Sequence, residues 1–227
     1  NLLRSISHDL RTPLTSISGN ASVLINNSGS LDENKKMQLY EVIYDDSLWL
    51  INLVENLLSV TRIEDGKMNL HLETELIEEV INEALNHISH KKDEHRIEVK
   101  ANDEFILAKI DAGLIIQVII NIVDNAIKYT PKGSMISIET FKHKDFVEIQ
   151  IADDGAGISD KDKEKLFEMF YTVKHEVIDG RRGLGLGLAL CKAIIVAHGG
   201  NIAGKYNIPH GTIFSFTLPI KEVEIHE

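Results

Sequence analysis

Three short stretches carry residue types suited to holding a phosphorylated ligand. "DDGAGI" (153–158) sets Gly155 and Gly157 directly behind Asp153, and "GLGLGL" (183–188) supplies Gly183, Gly185 and Gly187. Glycines let backbone approach a ligand closely, and where they open a helix they expose N–H donors suited to phosphate. "NIVDNAIKYT" (121–130) adds Asn121 and Asn125 one helical turn apart, with Lys128 nearby. An asparagine carbonyl is a neutral hard-oxygen ligand, suited to a Mg²⁺ ion coordinated mostly by waters and nucleotide phosphates. Taken singly, the glycines are ordinary turn punctuation and the amides a solvated helix edge. Neither glycine cluster is a Rossmann fingerprint or a P-loop.

A fourth stretch, "SISHDLRTPLTSI" (5–17), sets His8 beside Asp9 with Pro13 five positions on. Leu3, Ile6, Leu10, Leu14, Ile17, Ala21 and Leu24 recur at gaps of three or four, so the segment is an amphipathic helix with a near-heptad stripe. At about 100° per residue His8 projects opposite that stripe, toward solvent, and Thr12 shares its face one turn later. Pro13 lacks an N–H and crowds the carbonyl of Asp9, which predicts a bend beside the histidine. An exposed histidine by itself needs no function to explain it.

The elements that must position these residues follow from the patterning. A second long helix is expected over about 34–62, after a break at "NNSGSLD" with Asp32 as a plausible N-cap. Its stripe of Tyr40, Ile43, Leu50, Val54 and Leu57 is widened by Leu39, Leu48, Trp49, Ile51 and Leu58, too broad for a two-helix seam. The economical solution is a symmetric dimer whose two hairpins make a four-helix bundle; the other is a hairpin packed on the rest of its own chain. The pattern breaks at Gly66, which puts a domain boundary there: residues 1–65, then 66–227.

The second part reads as strands near 70–75, 96–100, 105–111, 134–141, 146–152, 201–206 and 211–218. Helices are expected at 77–90, 112–129 and 185–198, with a loop-rich region up to about 184, an α+β layer architecture. In "FVEIQIAD", Val147, Ile149 and Ile151 should face inward and Glu148 and Gln150 outward, delivering Asp153 into a loop. On helix 112–129, Ile115, Val118, Ile122 and Ala126 form a buried stripe that the polar residues rim.

Composition narrows the field. With 43% hydrophobic and 26% charged residues in 227, the chain is an ordinary globular one. A net charge of −11 argues against a nucleic-acid surface, which needs clustered Lys and Arg. The lone Cys191 cannot form an internal disulfide and fits a reducing compartment. The longest apolar run, "LIIQVIINIV", is broken by Gln117 and Asn121 and is too short to span a bilayer. No direct membrane contact is expected, and the start inside a helix reads as a fragment of something longer. The other nine histidines show no paired metal-ligand spacing, and His198 reads as a helix-end residue.

In order and spacing, "SHDLRTPL", "NIVDNAIKYT", "DDGAGI", "LFEMF" and "GLGLGLALCKAIIVAHGG" resemble the H, N, G1, F and G2 boxes of the sensor histidine kinases of two-component signalling. The likeness covers nearly the whole chain, and "LLRSISHDLRTPLTSI" and "LVENLLSVTRIEDG" also look like the potassium-responsive Kdp-type sensor kinases. The resemblance implies an α-helical hairpin forming a dimeric four-helix bundle, followed by an α+β sandwich ATP-binding domain with a mixed sheet covered by helices, of Bergerat type. It implies ATP and Mg²⁺ as cofactors, a homodimer, and a response-regulator receiver domain as partner. The location implied is cytoplasmic, as part of a membrane-bound sensor protein.

Residue by residue, the resemblance makes His8 the phosphoacceptor, Asp9 the group that orients its ring, and Thr12 the residue that positions water for dephosphorylating the partner. Asp153 would accept from the adenine amino group, with Gly155 and Gly157 leaving room beside the base. Asn125 would hold Mg²⁺, Lys128 and the N–H groups near Gly185 and Gly187 would face the phosphates, and Asn121 and the hinge residue Gly183 would also belong to the cofactor site, with Tyr129 and Thr212 as further contacts. Residues 167–183 would form a lid. Many relatives carry a basic residue in or just after the F box; here Met169 and Thr172 stand there, which leaves Lys174, Arg181 and Arg182 as lid donors, the arginines favoured for their planar fit to phosphate oxygens. The gyrase, chaperone and mismatch-repair ATPases share this ATP fold but place a glutamate where Asn121 stands, and an amide is not a useful general base. A third reading is a degenerate kinase acting as a dimeric scaffold; retention of His8, Asn125, Asp153 and the glycines speaks against it.

Overall fold

The computed structural model describes residues 2–27, 29–64, 70–88, 94–101, 105–172 and 185–220, with the side chains of 2–6, 8–9, 59–64 and 101 outside that description. Two long helices come first, α1 (Leu2–Asn27) and α2 (Glu33–Glu64), which pack against one another as a hairpin. The helix of α1 continues without interruption past Pro13. Thr15 Oγ1 donates to the Arg11 carbonyl at 2.8 Å, a side-chain bond one turn back in the stretch where proline has removed a backbone donor. Asp32 caps α2 as expected, its Oδ1 accepting from Lys35 N–H at 2.7 Å.

The remainder is a layered α+β unit. Its elements are β1 (Glu73–Leu76), α3 (Ile77–Asn86), β2 (Arg96–Ala101), β3 (Leu107–Ile110), α4 (Ala112–Tyr129), β4 (Met135–Lys142), β5 (Phe146–Asp153), α5 (Asp160–Lys163), α6 (Gly187–Ala197), β6 (Ile202–Tyr206) and β7 (Thr212–Pro219). The main sheet has strand order β2-β4-β5-β7-β6, with β2 parallel to β4 and the rest antiparallel, while β1 and β3 form a separate antiparallel pair. The mixed sheet expected from the sequence is there. The helix expected over 77–90 stops at Asn86, where His87 N–H turns back onto the Ala84 carbonyl. The short α5 lies inside the stretch read as loop.

Strand alternation places the core. Val147, Ile149 and Ile151 are essentially inaccessible on β5, and Ile136 and Ile138 likewise on β4. Against that face lie Ile115, Val118, Ile119, Ile122 and Val123 of α4, which also packs on α3 and α6. Among the described residues, α4 alone could cross a bilayer by length and composition, yet half of its window is buried inside this layer, which makes it the core helix of the fold. Asp111 caps α4 by accepting from Leu114 N–H at 3.3 Å.

His198 is more than a helix end. Its Nδ1 donates to the Ile194 carbonyl at 2.8 Å and its Nε2 accepts from Asp111 N–H at 3.1 Å, so one buried ring ties the end of α6 to the start of α4. Replacing it leaves a buried backbone donor unpaired. His198→Ala is expected to cost about 1–2 kcal/mol and to lower Tm by roughly 2–8 °C in a thermal scan; an unchanged Tm would show that water replaces the ring at no cost.

Candidate active site

The period of two that buries Val147, Ile149 and Ile151 continues to Asp153, the last residue of β5, and so turns a carboxylate into the core face. There its Oδ1 accepts from Gly155 N–H at 2.9 Å and Thr212 N–H at 3.0 Å. Burial pushes the Asp153 carboxyl above its ordinary range, and the two N–H donors oppose that push. Both backbone bonds fall on Oδ1, and the Thr212 hydroxyl also bonds this carboxylate, so Oδ2 is the oxygen without a backbone donor in the cavity that Asp153 lines.

That cavity has a volume of about 960 Å³ and runs from Asp153 and Thr212 along α4 to the first turn of α6. Asn121, Asn125, Lys128 and Tyr129 line it from α4, and Gly157, Gly185 and Gly187 from the glycine clusters. Burial pushes the Tyr129 hydroxyl above its ordinary value, and Lys128 lies 5.1 Å from the centre of its ring. The first turn of α6 opens on Leu186 and Gly187 with no side-chain cap, so its N–H groups remain suited to an anion.

The glycines make room for protein as much as for ligand. Gly155 sits behind Asp153, and a Cβ there would meet Thr130 Cγ2 at 2.9 Å. At Gly157, φ is +78° and a Cβ would meet the Tyr206 ring at 2.6 Å. Gly187 lets α6 approach α4, since a Cβ there would lie 3.4 Å from Asn121 Oδ1. The carbonyl of Gly185 accepts from Phe170 N–H at 2.9 Å, which ties the described start of the expected lid region to the residues that follow it. Lys174, Arg181, Arg182 and Gly183 lie outside the described residues.

The backbone of His8 and Asp9 lies in α1, as expected, with their side chains outside the described residues; Thr12 is exposed on the same helix. Leu10, two residues after His8, packs into a small apolar cluster built on Leu53 and Leu186, with Trp49 and Leu57. Leu186 belongs to the second glycine cluster. Leu10, near His8 on α1, therefore shares an apolar cluster with the glycine loop, although the two are far apart in sequence. The stripe on α2 that read as too wide for a two-helix seam is partly used here, against the chain's own ATP-side unit, while Tyr40, Tyr44, Ile51, Val54 and Leu58 stay exposed.

Sequence reading missed a second set of residues. Asn52 and Asn56 of α2 line the same cavity and hydrogen-bond to α4, and Cys191 beneath donates to the Val118 carbonyl at 3.7 Å with its thiol pushed up to about 12 by burial. The four-residue spacing of Asn52 and Asn56 was the available signal, two amides on one helix face amid an apolar stripe.

Metal fit follows from the donor set. Among the described residues no cluster of three His, Cys, Asp or Glu could cage an ion. A site with amide oxygens but no acidic cage suits an ion held mainly by phosphates and water, as Mg²⁺ is in nucleotide sites.

Residues 110–222 match the family described as histidine kinase-, DNA gyrase B- and HSP90-like ATPase, and residues 1–66 match the His Kinase A (phospho-acceptor) domain. The chain belongs to the histidine kinase family, with the helical hairpin and ATP-binding layer that its two domains define. It is 45% identical over 219 residues to the sensor protein KdpD of Clostridium acetobutylicum, a match that covers 96% of this chain but only 24% of that protein. The solved structure of the Acinetobacter baumannii histidine kinase AdeS superposes with a TM-score of 0.64 at 27% identity, covering 95% of this chain and 98% of that one. Histidine kinase ThkA, solved in complex with the response regulator protein TrrA, gives 0.63 at 25% identity, covering 96% of this chain and 61% of that one.

Proposed function

We propose that the chain phosphorylates itself on His8 with ATP and passes the phosphoryl group to an aspartate on a response-regulator receiver domain. The observation that supports this is the cavity lined by Asp153, Asn125 and Lys128, with Leu10, two residues after His8, in the same apolar cluster as Leu186 of the glycine loop. Asp153 Oδ2 accepts from the adenine amino group, which the pinned Oδ1 orients. Asn125 supplies an oxygen to Mg²⁺, and Lys128 with the first N–H groups of α6 faces the phosphates. Bound Mg²⁺ would neutralise phosphate charge during transfer. A neutral ring nitrogen of His8 attacks the γ-phosphorus, ADP leaves, and Asp9 fixes the tautomer by accepting from the other nitrogen.

Hydrolysis of the gyrase and chaperone kind is disfavoured by Asn121, an amide paired with Asn56 and in contact with the Cys191 thiol, in place of a carboxylate base. Dimerisation through the exposed apolar face of the hairpin, a boundary at residues 65–66 and a cytoplasmic position within a longer membrane-bound sensor of Kdp type complete the reading.

The test is a chase: protein labelled from γ-labelled ATP should lose label to an added receiver domain, and label that never moves would leave a kinase without a relay. Thr12 is assigned to orienting water at the receiver's phosphoaspartate, from the exposed surface of α1. Thr12→Ala should keep autophosphorylation near the parent rate and slow receiver dephosphorylation by about 10-fold or more. Equal phosphatase rates would reduce Thr12 to a spacer.

A further inference from the structure

One face of α2 is seated in the phosphate end of the cavity. Asn56, which is buried, forms a reciprocal amide pair with Asn121: Asn56 Nδ2 donates to Asn121 Oδ1 at 3.2 Å, and Asn121 Nδ2 donates to Asn56 Oδ1 at 3.1 Å. Gln117 Nε2, one turn earlier on α4, donates to the same Asn56 Oδ1 at 3.2 Å. One turn back on α2, Asn52 Nδ2 donates to Asp124 Oδ2 at 3.2 Å, on the residue next to Asn125. Beside this row Leu53 packs against Leu186 at the start of α6. Both protein segments that face the phosphate end, the α4 amides and the glycine loop, are thus held by the hairpin.

A primary amide has one carbonyl and two N–H donors. The pair with Asn56 engages the carbonyl of Asn121 and one donor, and the same Oδ1 is the atom that Gly187 lets lie against the first turn of α6. Only a side chain that both donates and accepts can make this pair, which is why an amide stands amid the apolar residues Leu53 and Leu57.

We propose that Asn56 is a latch that competes with the nucleotide's polyphosphate for Asn121. With α2 docked, Asn121 is turned to the hairpin and withheld from the phosphates. Engagement of a triphosphate frees Asn56 and loosens the ATP-binding unit from the hairpin. The two effects are one coupling, since whatever docking takes from phosphate affinity the phosphates take from docking. This rests on the reading of the cavity as an ATP site.

The test is equilibrium binding of a non-hydrolysable ATP analogue with Mg²⁺, and of adenosine, to the full chain, to Asn56→Ala and to Leu53→Ala. The latch predicts that Asn56→Ala binds the triphosphate about three- to tenfold more tightly, as loss of a neutral amide pair implies, with adenosine unchanged. Leu53→Ala, which weakens docking without touching Asn121, should move triphosphate affinity the same way. Unchanged or weaker triphosphate binding by Asn56→Ala overturns the latch, and so does a gain seen equally for adenosine, which would mean the whole cavity had opened. A gain in Leu53→Ala alone also overturns it, because docking would then act without the amide. Failure of the unaltered chain to bind either probe would overturn the ATP-site reading itself, whereas binding that depends on Asp153 but ignores Asn56 removes only the latch.

Discussion

Asp153→Asn is expected to keep its fold and to bind nucleotide far more weakly. The variant amide can still offer an oxygen to the N–H groups of Gly155 and Thr212, so the turn that follows β5 stays closed. What then faces the cavity is an NH2 group, a donor set against the adenine amino donor. Hydrogen bonds to charged groups contribute about 1.5–3 kcal/mol, so ATP affinity should fall about 10- to 100-fold. Stability should move the other way. Burial raises the folded-state value of this carboxyl, so the ionised group destabilises the fold at neutral pH, and stability is recovered as pH falls through the raised value. The neutral variant is spared that cost. Binding by the unaltered chain should weaken on the acid side at a higher pH than an ordinary aspartate would give, because protonation removes the acceptor, and the variant should lack this limb. Calorimetric titration across pH together with urea unfolding reads both halves; a destabilised variant of normal ATP affinity would remove Asp153 from the adenine site.

The second large effect is the complete loss of protein-bound phosphoryl group in His8→Gln with nucleotide affinity unchanged. Glutamine preserves length and polarity but has no nitrogen basic enough to attack phosphorus. His8 stands on α1 and the nucleotide contacts on the α4, β5 and α6 side, so the substitution leaves the cavity lining as it was. Label retained in this variant would move the phosphoacceptor elsewhere; lost ATP binding would mean that His8 itself shapes the pocket.

Much of this was legible because periodicity reports which face of an element is buried. Val147, Ile149 and Ile151 alternate inward as their spacing demanded, and the same alternation, extended by one step, explains why Asp153 is buried. The stripe Ile115, Val118, Ile122 and Ala126 holds for the same reason. Periodicity does not report the partner. The wide face of α2 could be read as apolar, but not that Leu53 clusters with Leu186, with Trp49 and Leu57 packed against them, or that Asn56 pairs with Asn121, because those contacts join segments tens of residues apart. The parallel pairing of β2 with β4 is hidden likewise, since alternation is the same in either direction. His198 showed a ring at a helix end and nothing of the Asp111 N–H that it accepts from.

The most direct measurement is the chemical stability and position of the phosphoryl group after incubation with γ-labelled ATP and Mg²⁺. A phosphohistidine carries a P–N bond, so the account predicts protein-bound label that is lost in acid, survives base, and maps by peptide sequencing to His8. Acid-stable label, or release of inorganic phosphate with none bound to protein, would contradict it.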